Sequence, residues 1–159
     1  MFETERCVIS IFQEFDSADV LKLFSNPEVR KYLGGVREPD AIDAALKEIL
    51  APEKDSFYWV VREKSTTELI GLISLNPHHD GTDHELSYQL LPEWWGRGYA
   101  AEAATMIVDY ALYELLLPAI VAETQSENEA SCKMLEKLGM KLEKKVIRFG
   151  AEQSIYAIR

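Results

Sequence analysis

Three successive stretches of β-type sequence, Phe57 to Arg62, Glu68 to Leu75 and His84 to Leu91, lead into the glycine turn Glu93-Trp-Trp-Gly-Arg-Gly-Tyr-Ala-Ala-Glu102, from which a helical pattern sets out. Only the polar run Glu63 to Thr67 and a loop containing Asp80-Gly81 separate the stretches, so an antiparallel meander is expected. A Gly-x-Gly turn between a strand and a helix is a candidate anion site. Glycine lets the backbone approach a ligand, and the first N–H groups of the helix have no partner within it. The same turn can equally be a tight connection that binds nothing. A Walker A loop is excluded, since Tyr99 and not lysine follows Gly98. The dinucleotide fingerprint fits in spacing, Gly96-x-Gly98-x-x-Ala101 with Glu123 closing the next strand. It requires βαβ units on a parallel sheet, however, and a meander is the wrong setting.

Periodicity supplies the other elements. Arg6 to Phe12 alternates as an opening strand, and Asp16 or Ser17 caps a helix carrying Val20, Leu21, Leu23 and Phe24 that ends near Asn26-Pro27. A second helix opens at Pro39-Asp40, carries Ile42, Ala45, Leu46, Ile49 and Leu50, and stops at Pro52. The helix after Gly98 places Ala100, Ala104, Ile107, Val108, Ala111, Leu112 and Leu115 on one face and ends at Pro118. A strand from Ala119 to Glu123 comes next. The following helix spans Glu127 to Leu138, with Ser126 and Glu129 as a capping box, Ala130, Met134, Leu135 and Leu138 inward, and Gly139 as its stop. The tail, Met140 to Phe149 and Glu152 to Ile158 around Gly150, reads as a hairpin. Without repeats or linkers, the 159 residues form one α/β (α+β) domain ordered β-α-α-β-β-β-α-β-α-β-β.

Charge narrows the partners. The 27 acidic and 17 basic residues give a net charge of −10 with no basic run. That argues against nucleic acid or an anionic membrane and is compatible with a cationic partner. The N-terminus has no signal-peptide pattern, and no window of the chain is long and apolar enough for a membrane span, so a cytoplasmic protein is expected. Cys7 and Cys132 lack CxxC spacing and read as free thiols. His78, His79, Asp80, Asp83 and His84 crowd the hairpin loop and are read as loop residues, with no metal expected. At least one of Trp94 and Trp95 is expected to pack in the core beside the turn.

Glu93-Trp-Trp-Gly-Arg-Gly-Tyr-Ala-Ala-Glu-Ala103 resembles the acyl-CoA motif of the GNAT superfamily of N-acyltransferases, in which Q/R-x-x-G-x-G/A wraps the pyrophosphate of coenzyme A. Thr4-Glu5-Arg6, Asn26-Pro27-Glu28-Val29 and the Asn128-to-Met140 helix with its Leu138-Gly139 end resemble the branch that includes the ribosomal-protein N-terminal acetyltransferases. The resemblance covers nearly the whole chain. It implies a GNAT fold with a central mixed, mostly antiparallel sheet of about seven strands flanked by about four helices. It also implies acetyl-CoA as cosubstrate, a primary amine on a protein N-terminus or small molecule as acceptor, and a monomer or homodimer. By resemblance, Gly96, Arg97, Gly98, Tyr99 and Ala100 form the pyrophosphate cradle. Leu90 and Leu91 offer backbone groups to the pantetheine arm, in a gap between their strand and the Ala119–Glu123 strand. Glu93 replaces the motif's Gln or Arg, which matters little where backbone N–H groups hold the phosphate.

Acetyl transfer to an amine requires a neutral nucleophile, a donor to the oxyanion and a proton source for the departing thiolate. An α-amine with a pKa near 8 is partly neutral at pH 7, whereas a lysine near 10.4 needs more help. Glu85 and Tyr88 lie on the strand leading into the cradle, and Glu85 aligns with a Glu common in the branch, making it the favoured base, directly or through water. Many GNAT enzymes use a Tyr as acid seven residues after the Asn equivalent to Asn128, where this chain has Leu135. Ser131, one turn after Asn128, is the alternative hydroxyl, and Asn128 is expected to orient the pantetheine amide. Cys132 has no neighbouring His, so direct transfer in a ternary complex is favoured over an acyl-enzyme. Leu135 also keeps a second reading open, a GNAT-like module that binds acyl-CoA without catalysis.

Overall fold

The computed structural model describes residues 1–159. Its strands are β1 (Phe2–Glu3), β2 (Cys7–Ile11), β3 (Phe57–Glu63), β4 (Leu69–Pro77), β5 (His84–Leu90), β6 (Ile120–Gln125), β7 (Lys141–Arg148) and β8 (Ala151–Ile158). The helices are α1 (Ser17–Phe24), α2 (Pro27–Arg30), α3 (Pro39–Leu50), α4 (Tyr99–Asp109) and α5 (Glu129–Lys137). All the strands join one eight-stranded sheet in the order β1-β2-β3-β4-β5-β6-β8-β7. Every pairing is antiparallel except β5 with β6. This is the expected mixed, mostly antiparallel sheet, with one more strand and one more helix than expected.

The apolar run of β4 is buried from Leu69 to Leu75, as a central strand covered on both faces must be. At the far edge, β7 exposes Lys141, Glu143, Lys144 and Lys145, charges that discourage strand pairing with another chain. No helix is long and apolar enough to cross a membrane.

The additional elements are short. The two residues of β1 are too few to show a period, yet they pair Phe2 with Ile9 and Glu3 with Val8. Helix α2 forms because Asn26 Oδ1 accepts hydrogen bonds from Glu28 N at 2.9 Å and Val29 N at 3.2 Å, with Pro27 at its first position. Two expected caps are corrected. Asp16 does not cap α1 through its side chain; its buried carboxylate accepts from Gln13 N at 2.8 Å and Arg62 Nη2 at 2.7 Å. Ser126 does not cap α5, because its hydroxyl lies 2.7 Å from Ser154 Oγ, and Asn128 Oδ1 instead accepts from Ser131 N at 3.2 Å. Ala130, expected inward, is exposed, and Leu135 is the buried anchor of α5. The last turn after α4 widens to a π-helix over Tyr110–Glu114.

Gly71 of β4 sets how closely β5 approaches. It lies opposite Leu90, and a β-carbon there would sit 2.2 Å from the Gln89 carbonyl oxygen. Gly71→Ala must therefore push the end of β5 off β4, an overpacking that is expected to lower stability by about 3 kcal/mol. Urea unfolding of the variant beside the wild type measures it.

Candidate active site

Strands β5 and β6 pair only at His84–Ile120 and Glu85–Val121. Beyond these residues β5 stays on β4 through Leu90 while β6 stays on β8 through Gln125, so the two strands part. A cleft of about 1340 Å³ opens between them, reaching from the glycine turn and the start of α5 to the α2 end and the β7–β8 hairpin. The facing strand edges have lost their ladder partners there and can receive a ligand's amide groups.

At one end of the cleft lies the turn. Gly96 and Gly98 have φ of +69° and +82°, which only glycine adopts without strain. The backbone N–H groups of Gly96, Arg97, Gly98, Tyr99, Ala100 and Ala101 make no hydrogen bond within the chain, and α4 places its positive dipole end behind them. The turn is braced from the outside. Glu102 in the first turn of α4 accepts from the Thr4 hydroxyl, from Arg6 N at 2.9 Å and from Arg6 Nε at 2.7 Å. Arg6 Nη1 also donates to the Arg97 carbonyl at 3.0 Å, with its guanidinium 3.9 Å above the Tyr99 ring. Burial of Glu102 is outweighed by the Thr4 and Arg6 hydrogen bonds, which hold its carboxyl below the usual carboxylate range.

Leu90, Gly96, Gly98, Tyr99, Ala100, Asn128 and Ser131 line the cleft together. The Leu90 carbonyl is already occupied, accepting from Trp95 Nε1 at 2.9 Å. Leu91 and the Arg97 side chain lie outside the cleft. Leu91 is buried and donates its N–H to the Ile70 carbonyl at 2.9 Å. Arg97 folds back to donate to the Glu93 carbonyl at 3.1 Å, over the ring of Trp94. Trp94 is the tryptophan that packs in the core.

The alternation of β5 separates its polar side chains. Tyr88 points to α5, where its hydroxyl lies 2.5 Å from Ser131 Oγ. Burial pushes the Tyr88 phenol up to about 12, against the opposing hydrogen bond from Ser131. Glu85 and Gln89 occupy the other face, where Gln89 Oε1 accepts from Arg30 Nη1 of α2 at 3.4 Å. Burial pushes Glu85 above the ordinary carboxylate value, a shift that His78 and Arg148 oppose and Glu123 reinforces. Two sequence-distant candidates, Tyr88 and Ser131, thus meet, while Glu85 sits across the strand from them.

Residues 6–141 match the acetyltransferase (GNAT) domain family. The chain belongs to the GNAT acetyltransferases. It is 32% identical over 151 residues to the uncharacterised N-acetyltransferase YoaA of Bacillus subtilis (strain 168), covering 90% of this chain and 84% of that relative. Two solved structures share the GNAT fold at lower identity. Spermidine N-acetyltransferase from Vibrio cholerae, in complex with CoA and spermine, superposes with a TM-score of 0.84 at 18% identity, covering 98% of this chain and 96% of that one. The ribosomal-protein-S5-alanine acetyltransferase from Vibrio fischeri has a TM-score of 0.81 at 20% identity, covering 99% and 94%. GNAT acetyltransferases use acetyl-CoA, and the chain is an N-acetyltransferase by family.

Two parts of this GNAT site escaped the sequence reading. Arg30 is buried and donates to the carbonyls of Gly35 at 3.0 Å and Leu33 at 2.5 Å, which folds residues 31–35 over the cleft. Gln125 Nε2 holds the same loop by donating to the Tyr32 carbonyl at 3.1 Å. The second part gathers on the side chain of Glu123. His78 Nε2 lies 2.9 Å from Glu123 Oε1, His79 Nε2 3.5 Å from the same atom, and Arg148 Nε 3.1 Å from Oε2. Arg148 also chelates Asp80. Of the crowded loop residues, His78, His79 and Asp80 therefore converge, with a guanidinium among them. Asp83 instead faces Arg159, and His84 Nε2 lies 3.0 Å from the Asp55 carbonyl oxygen. Such convergence of segments 25 to 70 residues apart leaves no local spacing signal.

Proposed function

We propose that this chain transfers an acetyl group from acetyl-CoA to a primary amine, on a protein N-terminus or a small molecule, by direct attack in a ternary complex. The observation that carries this reading is the hydroxyl pair of Tyr88 and Ser131, set in the same cleft as the unpaired N–H groups of Gly96 to Ala101. The turn fits a pyrophosphate: its donors are free, its glycines leave the backbone bare, and the helix dipole favours negative charge. Acetyl-CoA supplies the acyl group as a thioester. Asn128 at the start of α5 orients the pantetheine amide, and Leu90 walls the arm.

Glu85 takes the proton of the acceptor ammonium, directly or through water, leaving a neutral amine that forms the new C–N bond. The C–S bond breaks as Tyr88 gives its proton to the sulfur, while the new amide nitrogen sheds its second proton to water, from which the phenolate is reprotonated through Ser131. Tyr88 thereby fills the role that Leu135 cannot, which favours an enzyme over a module that only binds acyl-CoA. The two solved relatives carry different acceptors by name, a polyamine and a ribosomal-protein alanine, so the fold leaves the acceptor open. The segments Thr4 to Arg6 and Asn26 to Val29 support kinship with the ribosomal-protein branch.

Thiol release from acetyl-CoA across a panel of amines tests the proposal. Amine-dependent release is expected, and tight CoA binding without turnover of any amine would sink it. The brace behind the turn gives a second expectation. Arg6→Met is expected to raise KM for acetyl-CoA about tenfold through loss of charged hydrogen bonds, with kcat held. Initial rates with acetyl-CoA and with S-acetylpantetheine separate the effect, because the shorter donor has no pyrophosphate to lose.

A further inference from the structure

The tip of the β7–β8 hairpin holds a residue that the hairpin itself does not require. Arg148 and Ala151 are the last paired residues, leaving a two-residue loop of Phe149 and Gly150. Both have positive φ, +55° and +76°. This is the type I′ pattern, whose first central position favours Asn, Asp or Gly, because a larger side chain in the left-handed region crowds its own backbone. Packing does not compensate. The Phe149 side chain is 78% exposed, meeting the His79 ring edge-on with centroids 5.9 Å apart. A strained, exposed aromatic is a residue whose use lies outside the stability of its own turn.

Its position suggests that use. Phe149 lines the cleft together with Glu85, Glu123, His79 and Tyr32. Glu85 and Gln89 share one face of β5, and Glu123 and Gln125 share one face of β6. Gln89 and Gln125 are tied to Arg30 and Tyr32, so this face is the one beneath α2, across the strand from Tyr88 and Ser131. An amine brought to Glu85 enters the cleft whose wall Phe149, Tyr32 and His79 also form. Glu123, beside His79, is already paired with His78 and Arg148, whereas the Phe149 ring next to it is uncovered.

We infer that Phe149 is a specificity-determining residue for the acceptor, selecting primary amines that carry an apolar group close to the nitrogen. The inference rests on the acetyltransfer reading. Burying a leucine- or phenyl-sized group against the ring is expected to favour such acceptors about tenfold over small ones.

The test uses the full chain and its Phe149→Asn and Phe149→Gly variants. The acceptors are glycinamide, leucinamide and phenylalaninamide in one series, and ethylamine and phenethylamine in another. The wild type is expected to show a kcat/KM about tenfold higher for the apolar member of the series it accepts. Both variants are expected to bring the ratio close to one by raising the acceptor KM, with KM for acetyl-CoA unchanged. Phe149→Asn is expected to melt at the wild-type temperature or above, since Asn suits the turn, which excludes unfolding as the cause. An absent wild-type preference would overturn the inference. So would a preference that survives both substitutions. Turnover of no amine would overturn the acetyltransfer reading, and this inference with it, even if CoA binds.

Discussion

Tyr88→Phe is expected to lower kcat by about 10²-fold or more, the range a positioned general acid contributes, while KM for acetyl-CoA stays within about twofold, since no hydrogen bond to a charged group is lost from binding. The substitution keeps the ring on its face of β5 and removes only the oxygen that lies 2.5 Å from Ser131. Burial holds the phenol at about 12, so at neutral pH it carries its proton. A thiolate of ordinary acidity is a weaker base than the phenolate, so transfer to sulfur is uphill and is completed by reprotonation of the phenolate through Ser131, while the phenol's hydrogen bond stabilises the charge that develops on sulfur. Donation is therefore useful only as the C–S bond breaks. That places the effect in kcat. Ser131→Ala leaves the phenol in place and is expected to cost less than Tyr88→Phe; the reverse order in steady-state rates would make Ser131 the proton donor.

Glu85→Gln is expected to move activity and stability in opposite directions. Removing the base should lower kcat/KM by about 10²-fold near neutral pH. In the wild type the acidic limb of kcat/KM against pH should lie above the ordinary carboxylate range, because burial raises Glu85, and the variant should lose that limb. Stability follows from the same shift. A carboxyl whose folded-state pKa exceeds its unfolded value binds its proton more tightly when native, so its contribution is full below the unfolded value and is lost as pH rises through the folded one. Glutamine carries no such dependence. Glu85→Gln should match the wild type in the acid range and become the more stable protein as pH climbs past the folded pKa of Glu85. Urea midpoints at the two ends of that window decide it, and a variant less stable at neutral pH would contradict a placement in which burial outweighs the opposing charges of His78 and Arg148.

Much of this molecule could be read from local pattern, because its meander, glycine turn and amphipathic helices each lie within one stretch of chain. Gly96 and Gly98 announce themselves in sequence, and the structure adds that both take positive φ. What local pattern misses is partnership at a distance. Tyr88 and Ser131 were each candidates, yet only the approach of β5 to α5 shows that they are one unit. Arg6 and Glu102, 96 residues apart, gave no sign of bracing the turn. Local grammar also misled where two residues compete for one role. Ser126 and Glu129 form a good capping box in sequence, but Ser154 claims the Ser126 hydroxyl and Asn128 takes the cap. Arg97 belongs to the turn by resemblance, and its side chain lies over the rings of Trp94 and Tyr99.

The short pairing of β5 with β6 makes the sheet two plates, β1 to β5 and β6 to β8, buttoned together at His84–Ile120 and Glu85–Val121. Below the button the plates share a seam without rungs. A molecule whose amide groups lie along that seam becomes a stretch of the missing ladder, so loading the protein also finishes building it. Release of product must then unlace the same rungs, and the cost of that unlacing is carried by the seam rather than by the chemistry at either face.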